Sequence, residues 1–172
     1  MKPHAITIAI FSALAACTSP ATGQEDAEAP AEATVQADDP GAIADAEAEI
    51  AALYEDWENV DNLSPPLPLS PRLSTLFAEE RAAVEADPDQ ISRLDFAWVI
   101  AGQDAEISDL EVTHDMAGPD TLHVTASFAN FGTPTKVVYI FVRQNDGEWL
   151  VDDIRPDDPD GAPISVAQLL SD

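Results

Sequence analysis

The residues whose types and spacing could do chemistry are few, and most are acids. His114 and His123 stand nine positions apart, on segments that read as two adjacent antiparallel strands joined by a turn over 116–120. That arrangement could set both rings on one face, and Asp115 or Asp109 would then complete a zinc ligand set. Two half-exposed strand histidines are the simpler expectation, and no metal is assigned to them. Asp157, Asp158, Asp160 and Gly161 crowd oxygen donors into a short loop. A calcium loop needs oxygen ligands at alternating positions and a closing Glu at the twelfth; here Pro156 and Ala167 occupy the first and twelfth positions. A solvated acidic turn is expected instead. Asp152 and Asp153 fall inside a strand, where alternation sends neighbours to opposite faces. One of them should point inward, to pair with Arg72 or Arg155 or to hydrogen-bond a short following helix. No Ser-His-Asp set, Gly-rich phosphate loop or paired-cysteine motif is present. The one cysteine, Cys17, excludes an internal disulfide and a Cys-rich zinc site.

The elements that must position these residues follow from periodicity. Ile43, Ala46, Ile50, Leu53, Tyr54 and Trp57 recur at spacings of three and four between acids, predicting an amphipathic helix with one buried face. A loop with Pro65, Pro66, Pro68 and Pro71 follows. Ser70-Pro71 predicts a helix start, an N-cap followed by Pro at the first helical position, and Leu73, Leu76, Phe77 and Val84 form the inner face up to about Ala86. One helical turn is expected within 87–94, and a buried, extended or irregular connector over 95–100. The period then changes to two, predicting strands over 107–114, 122–128, 136–144 and 148–154. Turns are expected at 116–120, 130–134 and Asn145-Asp146-Gly147, an acidic loop at 156–163 and a short helix over 164–170. The third strand is apolar on both sides, as befits a central strand covered on both faces.

The chain has 172 residues, with 7 Lys and Arg against 33 Asp and Glu, a net charge of −26. That length fits one domain with extensions. The charge argues against binding nucleic acid or adhering electrostatically to anionic lipid. From residue 43 onward, six basic face 27 acidic residues, so the folded part alone carries −21.

Residues 1–16 combine one early positive charge with an apolar run too short to span a bilayer. The run ends in Leu14-Ala15-Ala16-Cys17, which resembles the lipobox of bacterial lipoprotein signal peptides at all four positions. The resemblance implies cleavage before Cys17 and acylation of its sulfur and new amino terminus. Several acyl chains anchor firmly, at about 0.8 kcal/mol per buried CH₂. Thr18 in place of Asp implies sorting to the outer membrane, facing the periplasm. From 17 to 42 the composition turns to Ala, Pro, Thr and unanswered acids, with Val35 the one aliphatic side chain larger than Ala before the end of the stretch. Such a segment cannot bury enough apolar surface to order itself and is expected as a tether.

Helices first and a meander of strands second predict an α+β domain over 43–172, with N-terminal helices packed on a curved antiparallel sheet. The order resembles the NTF2-like cone, and more narrowly the DUF3828 family of bacterial envelope lipoproteins and secreted proteins. Leu69-Ser70-Pro71-Arg72-Leu73, Leu94-Asp95-Phe96, Gly102-Gln103-Asp104, Trp149-Leu150-Val151-Asp152-Asp153-Ile154 and the closing 165–170 segment carry that likeness. It implies a pocket between sheet and helices, for which Tyr54, Trp57, Asp95, Trp98, Gln103, Asp104 and Tyr139 are the candidate lining. The expectation is a non-enzymatic binding or accessory module for an envelope protein or a small apolar ligand, without cofactor. An enzyme with an acid–base pocket and a structural subunit of a membrane complex are the alternatives.

Overall fold

The computed structural model describes residues 40–172 except Pro88 and Pro159. The signal-like segment, Cys17 and the stretch expected as a tether, up to residue 39, lie outside the described residues. Helix α1 (Pro40–Glu55) begins inside the stretch expected as tether, with Pro40 at its first position. Proline is at home there because the first helical N–H has no intrahelical partner to lose. Six alanines among its sixteen residues favour the helix, and Ile43, Ala46, Ile50, Leu53 and Tyr54 form its buried stripe. Trp57 falls beyond α1, in a single 3₁₀ turn (Trp57–Asn59).

Helix α2 (Pro71–Ala86) starts where Ser70 and Pro71 predict, and the Ser70 hydroxyl accepts a hydrogen bond from the Leu73 N–H at 3.1 Å. Its buried residues are Leu73, Phe77 and Glu80. Leu76 and Val84, expected on the inner face, are only half-buried, and Glu80 takes a position that the apolar spacing reserves for a hydrophobe. Residues 87–94 hold one turn, Gln90 N–H to Asp87 C=O, without a helix. The connector to the sheet contains a second 3₁₀ turn (Trp98–Ile100), all three residues buried.

Four strands form one antiparallel sheet in chain order: β1 (Ile107–Gly118), β2 (Thr121–Asn130), β3 (Thr133–Arg143) and β4 (Trp149–Pro156). The strands run longer and their turns shorter than expected. The turn placed at 116–120 shrinks to Pro119 and Asp120, and the one at 130–134 to Phe131 and Gly132. Pairing extends to Asn130 opposite Thr133 and Ala129 opposite Pro134, because ladder bonds outweigh turn propensity once Phe131 and Gly132 make the reversal. Pairs such as Leu122–Phe141, Val124–Tyr139 and Ala126–Val137 align fully buried side chains across β2 and β3. Helix α1 lies against β1 and β2, while the Trp98–Ile100 turn lies against β3 and β4. Helix α2 packs on β4 and on α3 (Val166–Ser171).

Register shifts place extra residues in β1 between Ser108 and Glu111, at Ala117, and in β4 at Asp152. Bulges of this kind bend a strand and re-aim its side chains. At the β4 bulge the backbone of residues 68–70 adds to the sheet: Val151 N–H donates to Pro68 C=O and Ser70 N–H to Val151 C=O, both at 2.8 Å. The N-cap of α2 is therefore fixed next to Asp152.

Candidate functional site

The seven candidate pocket residues separate into two groups. Tyr54, Trp98 and Tyr139 converge inside the core. Trp98 meets Tyr139 edge-on with centroids 6.4 Å apart, and Tyr54 packs on Phe128 at 5.4 Å. The Tyr139 hydroxyl donates to the Tyr54 hydroxyl at 3.2 Å, and Tyr54 donates to the Val99 carbonyl at 2.8 Å. Trp57 is half-buried at the margin of this cluster. Asp95, Gln103 and Asp104 are exposed, and the Gln103 amide reaches the Asp95 backbone carbonyl at 3.4 Å. None of the seven lines the three surface cavities described below.

An organiser not singled out from the sequence is Asn62. Its amide donates to the carbonyls of Leu94 and Phe96 at 3.1 and 2.8 Å. Its backbone carbonyl accepts from the Trp98 indole N–H at 3.0 Å. One loop residue, through its side chain and its backbone, thus ties down the connector that carries Trp98.

Burial raises the pKa of both phenols. For Tyr54 a hydrogen bond with Tyr139 partly opposes the effect; for Tyr139 the neighbouring Tyr54 adds to it. A folded-state pKa raised above the unfolded value contributes stability that is intact below about pH 10 and lost as pH climbs beyond it. These are the only two tyrosines in the chain, so phenolate absorbance reports on the core alone. In an alkaline titration, phenolate absorbance should stay flat through pH 10 and then rise together with loss of tertiary circular dichroism. Ionisation near pH 10 with the fold intact would place at least one hydroxyl in water.

The histidines do not share a face. His114 is opposite Val124 and Asp115 is opposite His123, so the two rings project from opposite sides of the sheet, since directly paired residues share a side. The longer β1 and the bulge at Ala117 set this register. His114 Nδ1 lies 2.8 Å from Glu47 Oε1 of α1, while His123 Nδ1 is 3.7 Å from Asp115 Oδ2. Among the described residues no group of three or more His, Cys, Asp or Glu is arranged to hold a metal. The Asp157–Gly161 loop folds on itself: Asp158 Oδ1 accepts from the N–H groups of Asp160 and Ala162 at 2.9 and 2.8 Å.

Asp152 and Asp153 each hold the start of a helix. The Ser70 hydroxyl that caps α2 donates to Asp152 Oδ1 at 2.6 Å, and Arg72 Nη2 lies 2.6 Å from Oδ2. Burial opposes ionisation of Asp152, but the Arg72 and Ser70 hydrogen bonds and the Arg72 charge outweigh it and hold the carboxyl below its ordinary value. The Ser165 hydroxyl, which caps α3, donates to Asp153 Oδ2 at 2.9 Å, and Asp153 Oδ1 accepts from the Ala167 N–H at 3.0 Å. Glu80 instead holds the connector after α2, accepting from Ser92 Oγ and Arg93 N–H at 2.9 and 2.7 Å with Arg93 Nε 3.1 Å from its other oxygen.

Among the described residues, cavities open on the surface at three places relevant to binding. One of about 340 Å³ lies between the Pro-rich loop and α2, including Leu63, Phe77 and Arg81. A second, about 360 Å³, lies between α1 and the β3–β4 turn, with Asp45, Glu49 and Glu148 around Phe141 and Trp149. Burial raises the pKa of Glu49, and the Arg143 guanidinium stacks 4.7 Å from the Trp149 ring centroid. The largest of these three, about 520 Å³, lies between the β2–β3 turn and the acidic loop after β4. Phe131 stands at its rim with 63 % of its surface exposed. The sequence signal for Phe131 was an aromatic immediately before Gly in a two-residue turn, where Asn is the usual occupant. No protein-family model, curated protein or solved structure matches the chain.

Proposed function

We propose that the chain is a lipid-anchored lipoprotein of the bacterial envelope whose described domain is an NTF2-like, DUF3828-type binding module for another envelope protein. The lipobox-like Leu14-Ala15-Ala16-Cys17, holding the sole cysteine, supports the anchor. The tether would let the domain reach its partner at a distance from the outer membrane. The four-stranded antiparallel meander with α1 across one face supports the fold reading.

The observation that carries a binding role over acid–base chemistry is how the candidate polar groups are placed. The buried phenols are engaged in hydrogen bonds within a packed core, and the candidate carboxylates Asp95 and Asp104 stand in solvent. A general acid or base needs its proton within reach of a bound substrate, and this division keeps the two requirements apart. Recognition is then left to surface clefts, two of which have acidic walls that suit a protein partner better than a small apolar molecule.

Cys17→Ser tests the anchor. In envelope fractions of the producing cell, the variant should leave the membrane pellet and appear in the soluble fraction, while the unaltered protein stays with the membrane. A variant that remains in the pellet overturns the lipoprotein reading.

A further inference from the structure

We propose that the cleft between the β2–β3 turn and the acidic loop after β4 docks an extended basic segment of the partner protein, with Phe131 as the apolar anchor. The inference rests on the binding-module reading above and assigns that module its contact surface.

Phe131 is the first observation. It is a large aromatic, 63 % exposed, with φ of 48°. The left-handed region is strained for a bulky side chain and natural for Asn or Gly, and Gly132 beside it has φ of 76°. Neither packing nor backbone preference accounts for an aromatic here. The turn is nevertheless held in place. Phe131 N–H donates to the Glu106 carbonyl at 3.1 Å, and Asn130 bonds Glu106 N–H at 3.1 Å and the Asp104 carbonyl at 3.3 Å. A fixed, exposed aromatic is the kind of group on which binding energy concentrates.

The cleft beside it is the second observation. Its cavity of about 520 Å³ runs from Phe131 past Thr133 and Thr135 to Asp157, Asp158 and Asp160. Asp157 Oδ1 is shielded from solvent and accepts no hydrogen bond from the described residues, while its backbone N–H is held by the Lys136 carbonyl at 3.1 Å. Burial raises the Asp157 pKa, Lys136 pulls it down and Asp158 adds to the rise. An incoming guanidinium or ammonium group would face the carboxylates of Asp157, Asp158 and Asp160 in a cleft that no basic side chain among the described residues lines.

Charge complementarity selects the occupant. A second copy of this chain would bring another strongly negative surface against the first, and nucleic acid or anionic lipid would do the same. A segment alternating Lys or Arg with an aliphatic residue meets both requirements: the cation reaches Asp157 and Asp158, and the apolar side chain lies on the Phe131 ring. Cation–π contact with that ring adds to the preference for Arg.

The test uses the chain and a synthetic probe peptide, Gly-Arg-Leu-Arg-Leu-Gly, with Gly-Glu-Leu-Glu-Leu-Gly as the charge-reversed control. Amide chemical-shift changes should cluster at residues 130–135 and 157–161. Phe131→Gly should weaken binding by about tenfold or more, the scale of a lost anchor, while the thermal midpoint holds or rises because Gly accepts the turn geometry. Asp157→Asn should weaken binding as well. Shift changes spread along the acids of α1 and β1, or unchanged affinity in Phe131→Gly, would overturn the proposal. The anchor is scored separately: peptide binding here with Cys17→Ser still on the membrane sinks the lipoprotein reading and leaves the cleft, and the reverse pair of results does the opposite.

Discussion

Replacing Trp98 by Ala is expected to destabilise the domain by about 4 kcal/mol, measured as a shift in chemical-denaturation midpoint at constant slope. The side chain is fully buried, so truncation removes a large apolar surface and leaves a cavity that its neighbours fill only in part. Those neighbours are constrained. Tyr139 contacts the ring edge-on and is itself hydrogen-bonded to Tyr54, so it cannot swing into the gap without leaving a hydroxyl unpaired. The second loss is polar: the Asn62 carbonyl, which accepts the indole N–H, would be left short of a donor. Trp98→Phe separates the two terms. It keeps most of the apolar volume and loses the hydrogen bond, and should cost about 1–2 kcal/mol. A change below about 1 kcal/mol for Trp98→Ala would mean that the connector packs elsewhere and that the Asn62 tie does not organise it.

Much of this framework was legible in the sequence because it rests on local signals. The Ser70-Pro71 pair marked the start of α2 to the residue, since a capping hydroxyl and a proline at the first helical position both act within one turn. The period-two alternation of β2 appears unchanged in the structure, with Leu122, Val124, Ala126 and Phe128 buried and the residues between them half-exposed. What local pattern could not reach was register. The bulges at Ala117 and Asp152 each insert one residue, and a one-residue slip exchanges the faces of everything beyond it. That is why His114 and His123 were expected together and project apart. Asn62 and Glu80 were missed for a related reason. Their partners lie 32–36 and 12–13 positions away, and a polar residue satisfied at such separation has no signature in its own neighbourhood. Glu80 did leave one trace, an acid three positions after Phe77 on the face meant for hydrophobes.

The candidate pocket shows the same limit from the other direction. Tyr54, Trp98 and Tyr139 are aromatic, well spaced and partly polar, features that suit a cavity lining and a filled core equally. Only the distances decide, and hydroxyl to hydroxyl at 3.2 Å with hydroxyl to carbonyl at 2.8 Å leaves these groups engaged with one another. Asp95, Gln103 and Asp104, close in sequence to Trp98, fall outside because Ala101 takes a left-handed turn at φ of 53° and Ala97 and Gly102 exchange backbone hydrogen bonds. That reversal turns the chain back just after its buried residues.

Asp153→Ala is expected to cost about 3 kcal/mol, and the loss should appear first as detachment of α3. Asp153 is 5 % exposed, and four donors converge on it: the N–H groups of Ile154 and Ala167 on Oδ1, Arg155 Nε and the Ser165 hydroxyl on Oδ2. Removing the carboxylate strands the two backbone donors in a buried setting, at about 1–3 kcal/mol each before relaxation. Arg155 and Ser165 can turn toward water and offset part of that. The neighbouring Asp152 provides the internal comparison. It binds Ser70 and Arg72, but its side chain is 27 % and that of Arg72 51 % exposed, so solvent screens the pair and Asp152→Ala should cost about 1 kcal/mol. The same residue type at adjacent positions thus differs about threefold in consequence because one side chain is buried and the other is not. Hydrogen exchange distinguishes the mechanism: in Asp153→Ala the amides of α3 should lose protection well before those of β2 and β3. Equal costs for the two variants, or intact α3 protection in Asp153→Ala, would show that α3 is held by the packing of Val166, Ala167 and Leu170 and not by its buried carboxylate.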